Sequence, residues 1–349
     1  MRIISCMSGT SLDGLDIIFC EFSSLNHKID YKILNYKTFE YSKEWKSKFE
    51  NATELSGLEL SLLDHKFGKL TANYIHEFIH ENNINNIDFI ASHGHTIFHQ
   101  PERQFTLQVG NAIEIASLTN LPVINDFRSL DVSLYGQGAP LVPIGDKLLF
   151  GEYDYCLNLG GFSNISYQSK NERIAFDISP ANIVLNYYSE KLGIAYDNSG
   201  EFGRKGSIIE HLLQQLNQLD YYSSTAPKSL GKEWLMQEFL PIIQENEYDI
   251  YDILRTLYEH ISVQISKILR HKKSSTLVTG GGAFNSFLME LIQEKSISKI
   301  VIPKPEIINY KEAIIFGLLG FLRVRNKNNV LKSVTGASRD SCSGNIIYP

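Results

Sequence analysis

Three glycine-bearing segments, one aspartate and a run of histidines carry most of the chemistry open to this chain. The first segment is Ser8-Gly9-Thr10-Ser11-Leu12-Asp13-Gly14-Leu15-Asp16. Glycines let backbone approach an anion, exposed amides and hydroxyls can bond phosphate oxygens, and aspartates can hold Mg²⁺ through water. A plain hairpin turn favours the same residue types. A second segment, Asn158-Leu159-Gly160-Gly161-Phe162-Ser163-Asn164, repeats that chemistry later in the chain. Two such turns, each opening one half of a duplicated chain, point to phosphate binding more strongly than either alone. The third, Val278-Thr279-Gly280-Gly281-Gly282-Ala283-Phe284-Asn285, lacks the Gly-Lys-Ser/Thr of a Walker loop, but its glycines would let a flat ligand lie against backbone.

Asp177, in Ala175-Phe176-Asp177-Ile178-Ser179-Pro180, is expected at the end of a strand, where it could act as general base or cap the next helix. The stretch Ser92-His93-Gly94-His95-Thr96-Ile97-Phe98-His99 offers histidines at alternate positions. With no carboxylate or thiol at suitable spacing, it suits a polar lining for a hydroxyl-rich ligand better than a metal. Asn125-Asp126-Phe127-Arg128 follows a short apolar run, and Arg128 could grip a carboxylate or simply pair with Asp126. Glu312 is expected to open a helix, where the dipole would favour a carboxylate whatever the function.

The elements that must position these residues read as two similar halves. Alternation predicts strands over 2–8, 15–22 and 29–39, a long helix over 55–82, then strand 87–92, strand 105–109, helix 111–118 and strand 121–125, with a loop over 128–143. The pattern restarts with strands 153–159, 165–168 and 173–177, a helix over 180–192, a polar insertion near 198–241 and an amphipathic helix over 251–270. Strands at 275–279 and 300–302 and a closing helix over 312–324 complete it. The expected domains are 1–150 and 151–349, with a cleft between them.

Composition narrows the function. The 349 residues carry 33 Lys and Arg against 39 Asp and Glu, a net charge of −6 without blocks of like charge, which argues against nucleic acid or an anionic membrane as partner. The four cysteines, Cys6, Cys20, Cys156 and Cys342, have no metal-ligand spacing and are expected as free thiols in a reducing compartment. The opening residues lack the apolar stretch of a signal peptide, and the longest apolar run, 313–322, is too short to span a bilayer. A cytoplasmic location is expected.

In their order, these motifs resemble the anhydro-N-acetylmuramic acid kinase family of the actin/Hsp70/sugar-kinase superfamily. Met7 to Asp16, Ser92 to Thr96, Leu107 to Gly110, Asn125 to Arg128, Gly136 to Pro143, Asn158 to Gly161, Gly280 to Ala283 and Ser333 to Ala337 carry the likeness across nearly the whole chain. The resemblance implies an α/β fold of two duplicated ribonuclease H-like domains with an interdomain cleft, the actin-like ATPase and sugar-kinase architecture. It also implies an ATP- and Mg²⁺-dependent, homodimeric enzyme of peptidoglycan recycling that opens the 1,6-anhydro ring of its amino sugar with water and phosphorylates O6. By position, Gly9, Thr10, Ser11, Leu12, Asp13, Gly14, Leu15 and Asp16 match the ATP-binding segment and Asp177 the catalytic base. Gly160, Gly161, Asn164, Gly280, Gly281, Gly282 and Asn285 are expected to complete the ATP site, with Asp13 and Asp16 holding Mg²⁺ through water. His93, Thr96, Asp126, Arg128, Asn182 and Glu312 are the expected sugar contacts. This chain departs from the family pattern at Ile178 and Ser179, where Thr-Gly is usual, at His95, where Gln is common, and at Asn186, where Asp is frequent. A kinase of a related amino sugar or anhydrosugar, and a catalytically weak sugar or nucleotide sensor, are the alternatives.

Overall fold

The computed structural model of the chain describes residues 1–26, 28–244, 248–269 and 274–349. They form two compact units, Met1–Leu149 together with Tyr310–Pro349, and Phe150–Asn309. The chain leaves the first unit after Leu149 and re-enters it at Tyr310. Residues 310–349, expected with the second domain, belong instead to the first.

In the first unit, β1 (Arg2–Ser8), β2 (Gly14–Leu25) and β3 (Lys28–Glu40) form an antiparallel meander. β4 (Phe89–Gln100) then joins β1 in parallel, β5 (Phe105–Val109) folds back on β4, and β6 (Val123–Asn125) lies parallel to β4 on its other side. Alternation along β1 and β2 sends Ile4, Cys6, Leu15, Ile17 and Phe19 to one face. There they meet Phe67, Ile75 and Phe78 of the helix Gly57–Glu81 and Ile115 of the helix Ala112–Thr119. The long helix starts with a reciprocal capping box between Ser56 and Glu59. Phe22, on the opposite face, stacks on Phe321 of the helix Pro305–Val324, which is why the closing helix belongs to this unit. The expected loop over 128–143 contains a short helix, Ser129–Ser133, and the start of another, Val142–Leu149.

The second unit repeats the plan with β7 (Tyr155–Leu159), β8 (Phe162–Ser169), β9 (Glu172–Pro180), β10 (Ser275–Thr279) and β11 (Lys299–Val301) in the order β11-β10-β7-β8-β9. The final strand of the chain, β12 (Asn345–Ile347), returns to the first sheet and pairs antiparallel with β6, giving β12-β6-β4-β1-β2-β3. Each sheet is therefore an antiparallel three-strand meander whose first strand takes a parallel crossover strand on its free edge. That is the ribonuclease H-like order, reached twice. The core of the second unit sets Leu157, Leu159 and Ile178 against Leu254, Leu257 and Ile261 of the helix Ile250–Ile268 and Leu288 and Ile292 of the helix Ser286–Lys295. The expected 251–270 helix ends at Ile268, and Arg270 lies outside the described residues.

Candidate active site

In the first unit, the tip between β1 and β2 leaves Thr10, Ser11 and Asp13 exposed, with Leu12 in the left-handed region at φ 60°. Its base is fixed from beneath. Tyr41 Oη donates to Ser8 Oγ at 2.7 Å, and Ser8 Oγ meets His95 Nδ1 at 2.9 Å, all three side chains being buried. Burial pushes the His95 imidazole down to about 4, so near neutral pH the ring is uncharged.

Histidines at alternate positions of a regular strand would share a face, but His93 and His95 do not. β1 pairs Cys6 with Ser92 but Ser8 with His95, so one extra residue is inserted in β4. Gly94 absorbs it at φ +77°, and a Cβ there would lie 2.5 Å from the Val109 carbonyl oxygen. The bulge sends the two rings to opposite faces of the sheet. His95 stacks on Phe49 with centroids 4.0 Å apart, whereas His93 packs 4.5 Å from Phe316 on the closing helix.

On the His93 side a directed cation is assembled. His93 Nδ1–H donates to the Gly94 carbonyl at 2.9 Å, which leaves Nε2 as an acceptor for Arg128 Nε–H at 3.0 Å. Arg128 Nη1 also donates to Gly138 O at 2.7 Å. Burial lowers the guanidinium to about 10, which still leaves it charged at neutral pH. Burial first, and then the Arg128 charge, hold His93 well below its ordinary value. The alternative Asp126–Arg128 ion pair is not formed among the described residues. Asp126 instead accepts from Ser129 N–H at 3.2 Å and Asn345 Nδ2–H at 3.3 Å.

The motifs around Gly136 to Pro143 and Ser333 to Ala337 turn out to hold each other. Buried Asp131 accepts from Gly138 N–H and from the Thr335 hydroxyl, each at 2.8 Å, while Gln137 N–H donates to Thr335 O at 2.8 Å. Because Gly138 also carries Arg128, this lock fixes the guanidinium. His93 and Asp126 line one cavity of about 340 Å³ together with Asp64, Gln108 and Asn125. Thr96, Arg128 and Glu312 are not among its lining residues. Asp64, which the sequence reading did not select, accepts from Gly110 N–H at 2.7 Å and Asn111 Nδ2–H at 2.8 Å. On a long amphipathic helix it looked like any polar-face residue.

A second carboxylate group lies beside the tip. Asp16 accepts from the Thr38 hydroxyl at 2.6 Å, and that hydroxyl meets Tyr310 Oη at 3.0 Å. Burial, reinforced by the charges of Glu312 and Asp13 and opposed by the Thr38 bond, pushes Asp16 up to about 6. Glu312 keeps solvent access, yet surrounding protein raises its carboxyl against the pull of Arg128 and Lys311. Among the described residues no group of three or more His, Cys, Asp or Glu is arranged to hold a metal ion directly. None of the four cysteines is in a disulfide, and burial pushes the Cys6 and Cys20 thiols up.

In the second unit, Asp177 lies within β9 and not at its end, and the next helix, Asn182–Glu190, has Ala181 at its N-cap. Helix capping is therefore not its role. Cross-strand pairing aligns Asn158, Asn164 and Asp177 in one half-buried row over β7, β8 and β9. Asp177 Oδ2 accepts from Leu230 N–H at 2.8 Å, and burial raises the carboxyl against that bond. Ile178 is the extra residue of a bulge, since Ser163 pairs with Ser179 but Asn164 with Asp177. Its side chain joins the core, and the buried Ser179 hydroxyl meets Ser163 Oγ at 3.0 Å. Both departures beside Asp177 are thus absorbed by packing and hydrogen bonding.

The glycine triplet divides by environment. Gly280 sits at φ +82° with an added Cβ only 2.6 Å from Asn158 Oδ1, and Gly282 presses on Leu159, where a Cβ would come within 2.7 Å. Gly281 alone is exposed, with nothing nearer than 3.8 Å. The Asn285 side chain, expected to meet ATP, is spent internally. Its oxygen caps Leu288 N–H at 3.1 Å and its amide donates to Tyr258 Oη at 2.7 Å. Asn182 likewise donates to Leu159 O at 2.9 Å, beside the Gly160-Gly161 turn, whose carbonyls take the N–H groups of 181–183.

Two ribonuclease H-like units, each with a glycine-bearing turn between its first two strands, define the actin-like ATPase and sugar-kinase class. Within that class, a family model described as anhydro-N-acetylmuramic acid kinase matches residues 1–349, and the chain belongs to that family. The anhydro-N-acetylmuramic acid kinase of Aliivibrio fischeri is 34% identical over 370 residues, covering 100% of this chain and 99% of that protein. That of Clostridioides difficile is 34% identical over 379 residues, covering 99% and 98%. Among solved structures, the activator of the 2-hydroxyisocaproyl-CoA dehydratase from Clostridium difficile with bound ADPNP is 11% identical, with a TM-score of 0.45 over 93% of this chain and 97% of that one.

Proposed function

We propose that this chain is an ATP-dependent kinase that hydrolyses the 1,6-anhydro bond of anhydro-N-acetylmuramic acid and phosphorylates O6, giving N-acetylmuramic acid 6-phosphate in peptidoglycan recycling. The observation that carries the mechanism is the Asp177 carboxylate, half-buried, raised by desolvation and held at Oδ2 by the Leu230 amide. Asp177 takes a proton from water as that water adds to the anomeric carbon. The C1–O6 bond breaks, and the freed O6 attacks the γ-phosphorus as ADP leaves. Family membership supports the substrate.

In this reading the exposed amides and hydroxyls of Gly9–Asp13 and the Gly160-Gly161 turn bind phosphate oxygens, and the open face of Gly281 receives the adenosine side. Arg128, oriented by His93 and Gly138, pairs with the lactyl carboxylate, and His93, Asp126 and Thr96 meet sugar hydroxyls. Asp13 and Asp16 suit Mg²⁺ bound through water. Their oxygens are hard donors, and a divalent ion would favour the charged form of Asp16 that burial, with smaller repulsion from Glu312 and Asp13, disfavours. When bound, Mg²⁺ would neutralise phosphate charge. A cytoplasmic homodimer belongs to the same reading, and light scattering tests the dimer. No described helix is long and apolar enough to cross a membrane.

The test is ADP release with purified protein, ATP and anhydro-N-acetylmuramic acid, with the product identified by mass spectrometry. A product heavier by a phosphoryl group (HPO3) and one water supports the reading. Phosphate gain without water, or turnover only with other amino sugars, overturns it in favour of a related sugar kinase.

A further inference from the structure

Asp177 lies on β9, the edge strand of the second sheet, so among the described residues no neighbouring strand serves its outward backbone groups. A short piece of the polar insertion does so instead. Asp177 N–H donates to Lys228 O at 3.3 Å, Tyr221 Oη donates to Asp177 O at 2.7 Å, and Leu230 N–H donates to Asp177 Oδ2 at 2.8 Å. Three contacts from ten residues of sequence thus converge on one residue of the strand. The segment also closes on itself. Lys228 Nζ donates to Tyr221 O at 2.9 Å and lies 4.5 Å from the centroid of the Tyr221 ring.

The segment is anchored to the unit's core behind it. The Tyr221 ring packs 5.4 Å from Trp234, which in turn packs 5.9 Å from fully buried Phe239. Tyr222 Oη meets Nε2 of buried His260 at 2.8 Å, and His260 Nδ1–H donates to Asn217 Oδ1 at 2.8 Å. The geometry at Asp177 is therefore set by the long helix Ile250–Ile268 through the insertion.

We propose that residues 221–230 form a positioning clamp for the catalytic carboxylate, in which Tyr221 and the Leu230 N–H fix the Asp177 plane and leave Oδ1 as the oxygen that takes the proton. The proposal rests on the reading of Asp177 as base. A general base must lie within hydrogen-bond reach of the proton it removes, and a displacement of 1 Å can cost about a hundredfold in rate. A carboxylate on an unsupported edge strand would rotate about its side-chain bonds. With the peptide held on both sides and Oδ2 bonded, that freedom is removed before substrate arrives. Of the segment's titratable groups, Tyr221 bonds the Asp177 carbonyl and its hydroxyl is pushed up by burial, while the Lys228 ammonium turns to the Tyr221 carbonyl and is pushed down by desolvation. β8 contributes only the uncharged Asn164 opposite it.

Tyr221→Phe and Leu230→Pro in the full chain test the clamp, with Asp177→Asn as control. Tyr221→Phe keeps the ring packing and loses only the bond to the Asp177 carbonyl. Its kcat is expected to fall about tenfold, with the KM values for ATP and sugar within about twofold of wild type. Leu230→Pro removes a donor that stabilises the charged carboxylate, so the acid limb of its kcat–pH profile moves to higher pH. If Asp177→Asn is inactive while Tyr221→Phe keeps wild-type kcat and acid limb, the clamp is overturned and the base reading stands. An active Asp177→Asn overturns the base reading itself and the clamp with it. A Tyr221→Phe variant in which kcat and both KM values worsen together with melting temperature, at an unmoved acid limb, also overturns the clamp. Should Leu230→Pro fail to fold, Tyr221→Phe decides the question alone.

Discussion

Replacing Asp177 by asparagine separates chemistry from structure at this site. The amide oxygen of asparagine can accept the Leu230 N–H in place of Oδ2, so the 2.8 Å bond is kept. The charge is lost, and the sign of that change follows from the pKa. Burial raises the Asp177 carboxyl, so ionisation costs stability above its folded pKa, and the cost is relieved as pH falls through that value. A neutral amide escapes the cost, and Asp177→Asn should melt at or slightly above wild type at pH 7. Alanine differs, because it leaves the Leu230 N–H without its acceptor. Loss of such a partner costs about 1–3 kcal/mol, or about 2–4 °C in melting temperature per kcal/mol for a domain of about this size. Turnover should not make that distinction. An amide cannot take a proton from water near pH 7, so both variants should lose about 10²–10⁴-fold in kcat, about 3–5 kcal/mol of barrier at 1.36 kcal/mol per decade. The assay is coupled ADP release with anhydro-N-acetylmuramic acid, alongside calorimetric binding of an ATP analogue and a thermal melt. Turnover of Asp177→Asn within tenfold of wild type, in a protein that binds both ligands, would refute the mechanism.

Three other outcomes follow from the geometry. Gly280→Ala places a side chain at φ +82° and 2.6 Å from Asn158 Oδ1, so it should cost about 2–4 kcal/mol by urea unfolding, whereas Gly281→Ala should fold normally and weaken ATP binding in a calorimeter. Arg128→Lys loses the Nε–H bond to His93, so the KM for the sugar should rise about tenfold or more with ATP affinity unchanged, and an unchanged sugar KM would remove Arg128 from the site. His95 and His260 are buried neutral, at about 4 and about 3, so their contribution is complete above the ordinary histidine value near 6.5 and is lost as pH falls toward those values. The raised carboxyl of Asp16 acts in the opposite sense as pH falls through about 6, so the diagnostic comparison is His95→Gln, whose unfolding free energy should decline less than that of wild type between pH 6.5 and 4.5.

By itself the sequence determined the two-half plan, because short apolar runs bounded by turn residues mark strands buried on both faces. β1 and β2 read that way, and the turns between β1 and β2 and between β7 and β8 are marked by glycines that a local bend requires. The motifs needed for the family resemblance are likewise local. What only the tertiary structure decided are matters of direction and of partners far along the chain. His93 and His95 are two residues apart, and alternation would put them on one face. The bulge at Gly94 that separates them is expressed only through the register against β1. Asn285 and Asn182 looked like ligand contacts by type, but Tyr258 and Leu159 had already claimed their amides. The return of residues 310–349 to the first unit, sealed by β12 on β6, rests on pairing across some 220 residues, which no window of local sequence encodes. The same holds at the proposed base. Asp177 was visible as a carboxylate beside a strand end, but the hydrogen bonds that aim it come from Tyr221 and Leu230, 44 and 53 residues away. The insertion carries no pattern that names its target, since a backbone amide donates from any residue type and only folding brings it to the carboxylate.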